Sequence, residues 1–585
     1  MSSSPPVFSN EETAMAKLSI PYFFAAVLLI GLLYGCSPAE VQSDKKTVIA
    51  PASAAVAMPD KFAADIAAEV LMAGGNAIDA AVAAAFSLAV TYPEAGNIGG
   101  GGFMVMYVNS EPLFLDYREA APAAAYRDMY LDEQGNVIPD LSLVGHRSSG
   151  VPGTVAGLWA AHQRFGALPW RRLVQPAIRL AQAGFIAGPQ VTERAAKSVA
   201  DYAAVTNFED YFGDLQVGEV FQQPALAVTL QRIADAGADG FYKGATAAAI
   251  TEEMARGGGL ITIKDLANYR PVWRDPLVAD WRGSQIIASS PPSSGGFAVI
   301  ALLKMKDYLA DQFAGLAHNS IEYIHLVAEM EKRVYADRAE FLGDPDFFDF
   351  DIQRLINEDY LKRRAAEVNS KSISALTAAQ PGLESHDTIH FSIIDFDGNA
   401  VSNTYTINGW FGSHVVIEGA GFLLNNEMDD FSVKPGVPNY YGVVGDTANA
   451  IEPGKRMLSS MSPTILVRDD QVEMVVGAQG GSTIITSVFQ AIVNVSEFGM
   501  TADAAVEQSY FHHQLLPINL ITYSPTRPLP TEVITAGQQQ FGYSIVPHAW
   551  EFGDIQLITR DANGLQAASD SRGRGKSIVL EQGAK

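Results

Sequence analysis

The sequence predicts an α+β chain, and three stretches carry that prediction. Residues 76–90 are Ala-rich and apolar almost throughout, the mark of a helix buried on most of its faces. Residues 321–341 have the amphipathic repeat of a long helix. Residues 385–408 read instead as a hairpin. Thr388 opens a β-branched run through Ile389, Phe391, Ile393 and Ile394, Asp397-Gly398-Asn399 supply turn chemistry, and a second strand returns through Val401, Tyr405 and Ile407.

Composition sets the outer bounds. With 585 residues, 48% hydrophobic and 18% charged, the chain is globular with a large core, and length alone suggests roughly four domains. A formal charge of −25 argues against nucleic acid or anionic membrane surfaces as partners. The one cysteine, Cys36, closes an uncharged run at 20–33 that follows Lys17 and is short for a membrane span. That run reads as a signal-peptide core, with an uncleaved anchor as the competing reading, and Leu33-Tyr34-Gly35-Cys36 resembles a bacterial lipobox. The expectation is a lipoprotein leader over 1–36 with its natural start at Met15. An exported, periplasmic protein would follow, lipid-anchored at the outer membrane through Cys36, and the cysteine-free body would use no disulfides.

Residues 37–57 are small and polar and read as a tether, with the folded body beginning near Met58. A helical pattern runs from Asp60 to the Gly74-Gly75 stop, and the helix at 76–90 follows at once. Four glycines at 99–102 precede a strand at 103–108; no G-K-[ST] follows, which excludes a P-loop and leaves close backbone packing as the reason. The next strand ends at Leu115-Asp116-Tyr117-Arg118. Residues 148–380, including Pro-Pro-Ser-Ser-Gly-Gly at 291–296, are assigned to helices and loops that cover the sheets.

Past the hairpin come an acidic cluster, Asn425-Asn426-Glu427-Met428-Asp429-Asp430, and a Pro, Gly and Asn-rich loop at 434–450. Ser459-Ser460 follow, then a Gly480-Gly481 turn that opens an apolar helix. His386 and His390 are four apart on a strand, where they do not converge as on a helix, and His512-His513 read as structural, so no metal is expected.

The chemistry centres on Thr388. A threonine hydroxyl in mid-chain is a poor nucleophile because nothing adjacent takes its proton. If the chain is cut just before it, the freed α-amine, with an unperturbed pKa of roughly 7.7–8.0, can serve as base to the residue's own hydroxyl. Spacing alone does not choose between this role and an ordinary strand threonine. Resemblance does. Thr388, His390 and Ser392 resemble the T-T-H-x-S processing site of γ-glutamyltransferases, N-terminal-nucleophile hydrolases, with Ile389 in place of the second threonine. GGNAIDAAVAAAFSLAVTYPEAGNIGGGG and LDYREAAP are similar to the large subunit of that family, and the motifs keep the family's order from about Asp60 to the C-terminus.

The resemblance implies a four-layer αββα sandwich, self-cleaved between Asp387 and Thr388 into a large subunit (58–387) and a small catalytic subunit (388–585) that remain a heterodimer. It implies that Thr406 hydrogen-bonds the nucleophile and that Gly480 and Gly481 form the oxyanion hole. By the same pattern Arg118, Ser459 and Ser460 hold the substrate α-carboxylate, while Asn408, Glu427 and Asp430 hold the α-ammonium. Tyr441 gates the pocket from the loop at 434–450. The implied substrates are glutathione and other γ-glutamyl compounds, with water or an amino acid or peptide as acceptor and no cofactor. A glutaryl-type (cephalosporin) acylase is the alternative within the chemistry. Glutaryl groups lack the α-ammonium, so Asn408, Glu427 and Asp430 argue against it. A non-catalytic surface-binding lipoprotein is the alternative outside it, and Thr388, Thr406, Gly480 and Gly481 argue against that.

Overall fold

The computed structural model describes residues 52–375 and 388–582, so Cys36 and Asp387 lie outside the described residues. Before residue 376 the chain supplies strands β1 (Ser53–Met58), β2 (Gly101–Val108), β3 (Glu111–Asp116), β4 (Val272–Arg274), β5 (Leu277–Trp281) and β6 (Ser284–Ala288). From residue 388 it supplies β7 (Ile389–Ile394), β8 (Ala400–Thr406), β9 (Thr464–Arg468), β10 (Gln471–Ala478), β11 (Ile555–Asp561), β12 (Gly564–Ser569) and β13 (Lys576–Glu581). These form a 7-stranded sheet ordered β13-β1-β7-β8-β2-β3-β4 and a 6-stranded sheet ordered β12-β11-β10-β9-β6-β5, antiparallel at every pairing.

Strand alternation builds the layers, because successive side chains leave a sheet on opposite faces. On the first sheet Ala55, Ala57, Phe103, Val105 and Phe114 pack with Ile286, Ile465, Val475 and Ile558 of the second. Their neighbours Val56, Met104, Met106, Leu115 and Ile393 turn to the other side and pack with Val70, Val82, Phe86 and Leu158. Those four sit on helices α1 (Lys61–Met72), α2 (Ala77–Thr91) and α3 (Thr154–Phe165). The far face of the second sheet is covered by α4 (Gly295–Tyr308), α5 (Ile321–Phe341) and α6 (Thr483–Ser496). The architecture is helix, sheet, sheet, helix.

Two sequence assignments need correction. The tether does not extend to residue 57, since Ser53–Met58 is a buried strand held between β13 and β7. An Ala-rich segment has little β preference of its own and gains its conformation from partners more than 300 residues away. Likewise the region 148–380 does more than cover the sheets: it contributes β4, β5 and β6, the last two a hairpin closed by Arg282-Gly283. The chain from Ser53 to Glu581 also does not divide into several domains, and strands from both sides of residue 388 share each sheet.

Local chemistry explains the elements nearest the site. Asn76 and Asp79 form a reciprocal capping box at the start of α2, and all 15 residues of that helix are buried. From β8 the Tyr405 hydroxyl donates to the Ala85 carbonyl of α2 at 3.0 Å. The glycine run packs backbone to backbone: a Cβ on Gly100 would collide with the carbonyl oxygen of Thr406, and one on Gly99 with that of Leu423. The face that β7 and β8 turn toward the second sheet is polar yet satisfied. His390 Nδ1 meets Thr404 Oγ1 at 2.8 Å, Ser392 donates to the Gln556 carbonyl at 2.9 Å, and Ser402 donates to that of Val476 at 3.1 Å. Burial pushes the His390 imidazole down to about 3, so it stays neutral, bonded within its own sheet to Thr404 and Ser392 and packed against Gly477 of the second.

Candidate active site

Thr388 stands immediately before β7, 3% exposed, and lines a small pocket. The β7–β8 register sets Tyr405 opposite Ile389, which brings Thr406 to the same pocket one step further along. Thr406 Oγ1 accepts the Asn408 N–H at 2.8 Å, and the Asn408 side chain donates to the Asn426 carbonyl at 3.0 Å. Asn408 reaches that position in a left-handed conformation, φ 72°, which asparagine tolerates better than most residues.

Across the pocket, Gly480 and Gly481 make the turn between β10 and α6 at φ 132° and 56°. The Gly480 carbonyl is capped by Thr483, through its N–H at 3.0 Å and its hydroxyl at 2.7 Å. Gly481 lines the pocket, and a Cβ there would strike the ring of Tyr441. Tyr441 therefore lies close against the turn, carried by the loop at 434–450. That loop is anchored to the acidic cluster: the Tyr440 N–H donates to Asp429 at 2.7 Å and the Asn439 side chain to Asp430 at 3.1 Å.

At the other end the charged groups converge. Arg118 is 1% exposed, unlike the usual arginine at a strand end. Its Nη1 lies 2.7 Å from Glu427 and 3.5 Å from Glu119, its Nη2 pairs with Asp430, and its Nε donates to the Met457 carbonyl at 3.3 Å. The sequence reading sends Arg118 to a substrate carboxylate and Glu427 and Asp430 to a substrate ammonium. In the structure these groups pair with one another, because a buried charge is costly unless an opposite charge meets it. Three carboxylates around one guanidinium still leave an excess of negative charge. Burial, outweighing the attraction of Arg118, drives Glu427 well above the usual carboxylate range, raises Asp430, and lifts Glu119 to about 8.

Ser459 and Ser460 border the same pocket, and their backbone is held by the Pro-Pro-Ser-Ser-Gly-Gly loop. Ser294 donates to the Ser459 carbonyl through its N–H at 2.8 Å and its hydroxyl at 2.7 Å. The Ser459 N–H donates to the Pro292 carbonyl at 2.9 Å, and the Ser293 hydroxyl to that of Met461 at 2.6 Å. Sequence reasoning singled out that loop without giving it this work, and it missed Arg338 of α5, which also lines the pocket. An arginine in the last turn of an amphipathic helix has no sequence mark of burial.

Residues 63–580 match the gamma-glutamyltranspeptidase family model. The chain belongs to the gamma-glutamyltranspeptidase family. It is 55% identical, over 90% of its length and 94% of the relative's, to the glutathione hydrolase proenzyme of Pseudomonas aeruginosa. Among solved structures it resembles the gamma-glutamyltranspeptidase from Pseudomonas nitroreducens complexed with L-DON, with 54% identity, a TM-score of 0.54, and coverage of 54% of this chain and 95% of that one. It also resembles a cephalosporin acylase from Bacillus halodurans, with 25% identity, a TM-score of 0.78, and coverage of 93% and 99%.

In this gamma-glutamyltranspeptidase the Glu119 carboxylate makes a testable contribution to stability. Its oxygens find no hydrogen-bond donor among the described residues. A folded pKa of about 8 against about 4.3 unfolded means the native state binds more protons between those values. The contribution is full below pH 4.3 and disappears as pH rises through 8. Glu119→Gln removes this titration. The melting temperature of the variant, followed from pH 5 to 8.5, should fall less than that of the wild type, and parallel curves would show that Glu119 does not titrate in this range.

Proposed function

We propose that this member of the family is a proenzyme that cuts itself between Asp387 and Thr388. It then hydrolyses or transfers the γ-glutamyl group of glutathione and related compounds through an ester on Thr388. The observation that supports this reading most is one pocket with Thr388 at its rim and Arg118, Glu427, Asp430, Ser459 and Ser460 within reach. A nucleophile there faces groups of both charge signs, as a γ-glutamyl head with an α-carboxylate and an α-ammonium requires.

In the first stage the Thr388 hydroxyl attacks the Asp387 carbonyl, the acyl group passes from nitrogen to oxygen, and water hydrolyses the ester. That leaves a large chain ending at Asp387 and a small chain whose Thr388 carries a free α-amine. In the second stage this amine takes the hydroxyl proton as the oxygen attacks the γ-amide carbon. The N–H groups of the Gly480-Gly481 turn stabilise the oxyanion, the leaving amine departs with a proton, and water or an acceptor amine resolves the ester. Thr406 orients the nucleophile, Asn408 joins the acidic pair at the ammonium, and Tyr441 restricts access from the loop side. Export and lipid anchoring through Cys36 complete the proposal.

The likeness to a cephalosporin acylase gives a second reading in which the acyl group is glutaryl. The carboxylates at Glu427 and Asp430 support the γ-glutamyl choice, since a γ-glutamyl α-ammonium adds a cation to the one that Arg118 already supplies them and a glutaryl group brings none. Matched γ-glutamyl and glutaryl anilides offered to the purified protein test this. Preference for γ-glutamyl by about 100-fold or more in kcat/KM is expected. Equal or reversed turnover would move the protein to the acylase reading, and an uncut chain inert to both would make it a binding protein.

A further inference from the structure

The Gly480-Gly481 turn has little stiffness of its own. Two glycines in succession, at φ 132° and 56°, leave the peptide between them free to flip, and a flip would bring a carbonyl oxygen where the site needs an N–H. What holds that peptide is Thr483, the first residue of α6: its hydroxyl donates to the Gly480 carbonyl at 2.7 Å and its N–H at 3.0 Å. A trans peptide is planar, with its C=O and N–H pointing opposite ways. Fastening the Gly480 carbonyl to α6 therefore turns the Gly481 N–H away from the helix, and Gly481 is the residue of the turn that lines the pocket.

The same geometry repeats one peptide further on. The Ser482 carbonyl accepts the Tyr335 hydroxyl at 2.5 Å, and that peptide carries the Thr483 N–H in the opposite direction, onto Gly480. Tyr335 belongs to α5 and is 2% exposed, and its ring meets His512 edge-on at 5.9 Å, so its hydroxyl is delivered from a packed ring.

We propose that Thr483 and Tyr335 are positioning residues for the oxyanion hole. Tyr335 sets the peptide between Ser482 and Thr483, that peptide and the Thr483 hydroxyl set the one between Gly480 and Gly481, and the Gly481 N–H is thereby aimed before substrate arrives. This rests on the γ-glutamyl reading above. A cut before Thr388 would leave Tyr335 on the large chain and the turn on the small one, so the large chain would steady an oxyanion hole whose N–H groups it does not supply.

The test uses a γ-glutamyl anilide and two inhibitors that share its α-groups. One is the γ-boronic acid analogue of glutamate, whose tetrahedral adduct on Thr388 places an oxygen in the hole; the other is norvaline, which has no γ-oxygen. In Thr483→Val, kcat should fall about 10- to 100-fold with KM within about 3-fold, somewhat less than the loss of a whole oxyanion donor. The inhibition constant of the boronic acid should weaken by a similar factor, and that of norvaline should stay within about 3-fold. Thr483→Ser should recover most of the loss, and Tyr335→Phe, one peptide further back, should show the same pattern at about 3- to 10-fold. An unchanged kcat in both Thr483→Val and Tyr335→Phe, or equal weakening of the two inhibitors, would make these bonds structural struts and overturn the proposal. Fragment masses establish that each variant has cut itself. Should Thr483→Val fail to fold or cut, Thr483→Ala and Tyr335→Phe are read by the same pair of inhibitors, and wild-type constants in both also overturn it. Failure of the γ-glutamyl reading would show in the wild type, which would then not turn over the anilide, and would take this proposal with it.

Discussion

Thr388→Ala is expected to leave one uncut chain and to lower γ-glutamyl turnover by about 10⁴-fold or more. The size follows from a double loss. Without the hydroxyl there is no attack on the Asp387 carbonyl, so no α-amine is released, and without either group there is neither nucleophile nor base for the substrate. Thr388→Ser keeps the hydroxyl and should still cut. The fold should hardly notice, because Thr388 stands just before β7 and the hairpin is secured by the pairing of Ile389 through Ile394 with β8 and, at its far end, with β1. Intact mass, N-terminal sequencing and a melting curve on the same preparations separate the outcomes. An alanine variant that still yields a fragment beginning at residue 388 would remove Thr388 from the mechanism.

Arg118→Met is expected to cost about 3–5 kcal/mol of stability near pH 8, because it strands Glu119, Glu427 and Asp430 without their guanidinium. The loss should shrink as pH falls. Removing Arg118 raises the folded pKa values of carboxylates that burial has already raised. A raised folded pKa gives stability that is full below the unfolded value, about 4, and is lost as pH climbs through the folded one. The variant should therefore approach the wild type near pH 5 and diverge from it above pH 7. Denaturant titrations at those two pH values decide the matter. A penalty independent of pH would mean that Arg118 contributes packing and not charge balance.

Some of this was legible in the residues alone and some could not be. The hairpin from Thr388 to Ile407 announced itself because alternation and an Asp-Gly turn act within a few residues of one another, and the long helix Ile321–Phe341 did so through its repeat. Ser53–Met58 did not, since its conformation comes from β7 and β13 and not from its own alanines. The strands β4 to β6 were hidden in a stretch whose helices dominate its pattern. At the site, motif resemblance singled out Thr388, Thr406, Asn408, Arg118, Glu427, Asp430, Tyr441, Ser459, Ser460 and Gly481, which line one pocket, and Gly480, which precedes Gly481 in the turn and does not line it. What it could not supply was the state of their charges. The pairing of Arg118 with Glu427 joins positions 309 apart, and the burial of Arg338 depends on loops from two further segments, so neither has any local signature.

The order β13-β1-β7-β8-β2-β3-β4 has a consequence for the cut chain. A break before Thr388 would place β13, β7 and β8 in one polypeptide and β1, β2, β3 and β4 in the other, with β1 wedged between β13 and β7. The two pieces would be woven like the teeth of a zip, with no flat boundary along which they could part. Pulling them apart would mean tearing three edges of one sheet, so dilution should not separate them and subunit exchange between molecules should be negligible short of denaturation. Scission would change the wiring of the molecule while leaving its masonry standing.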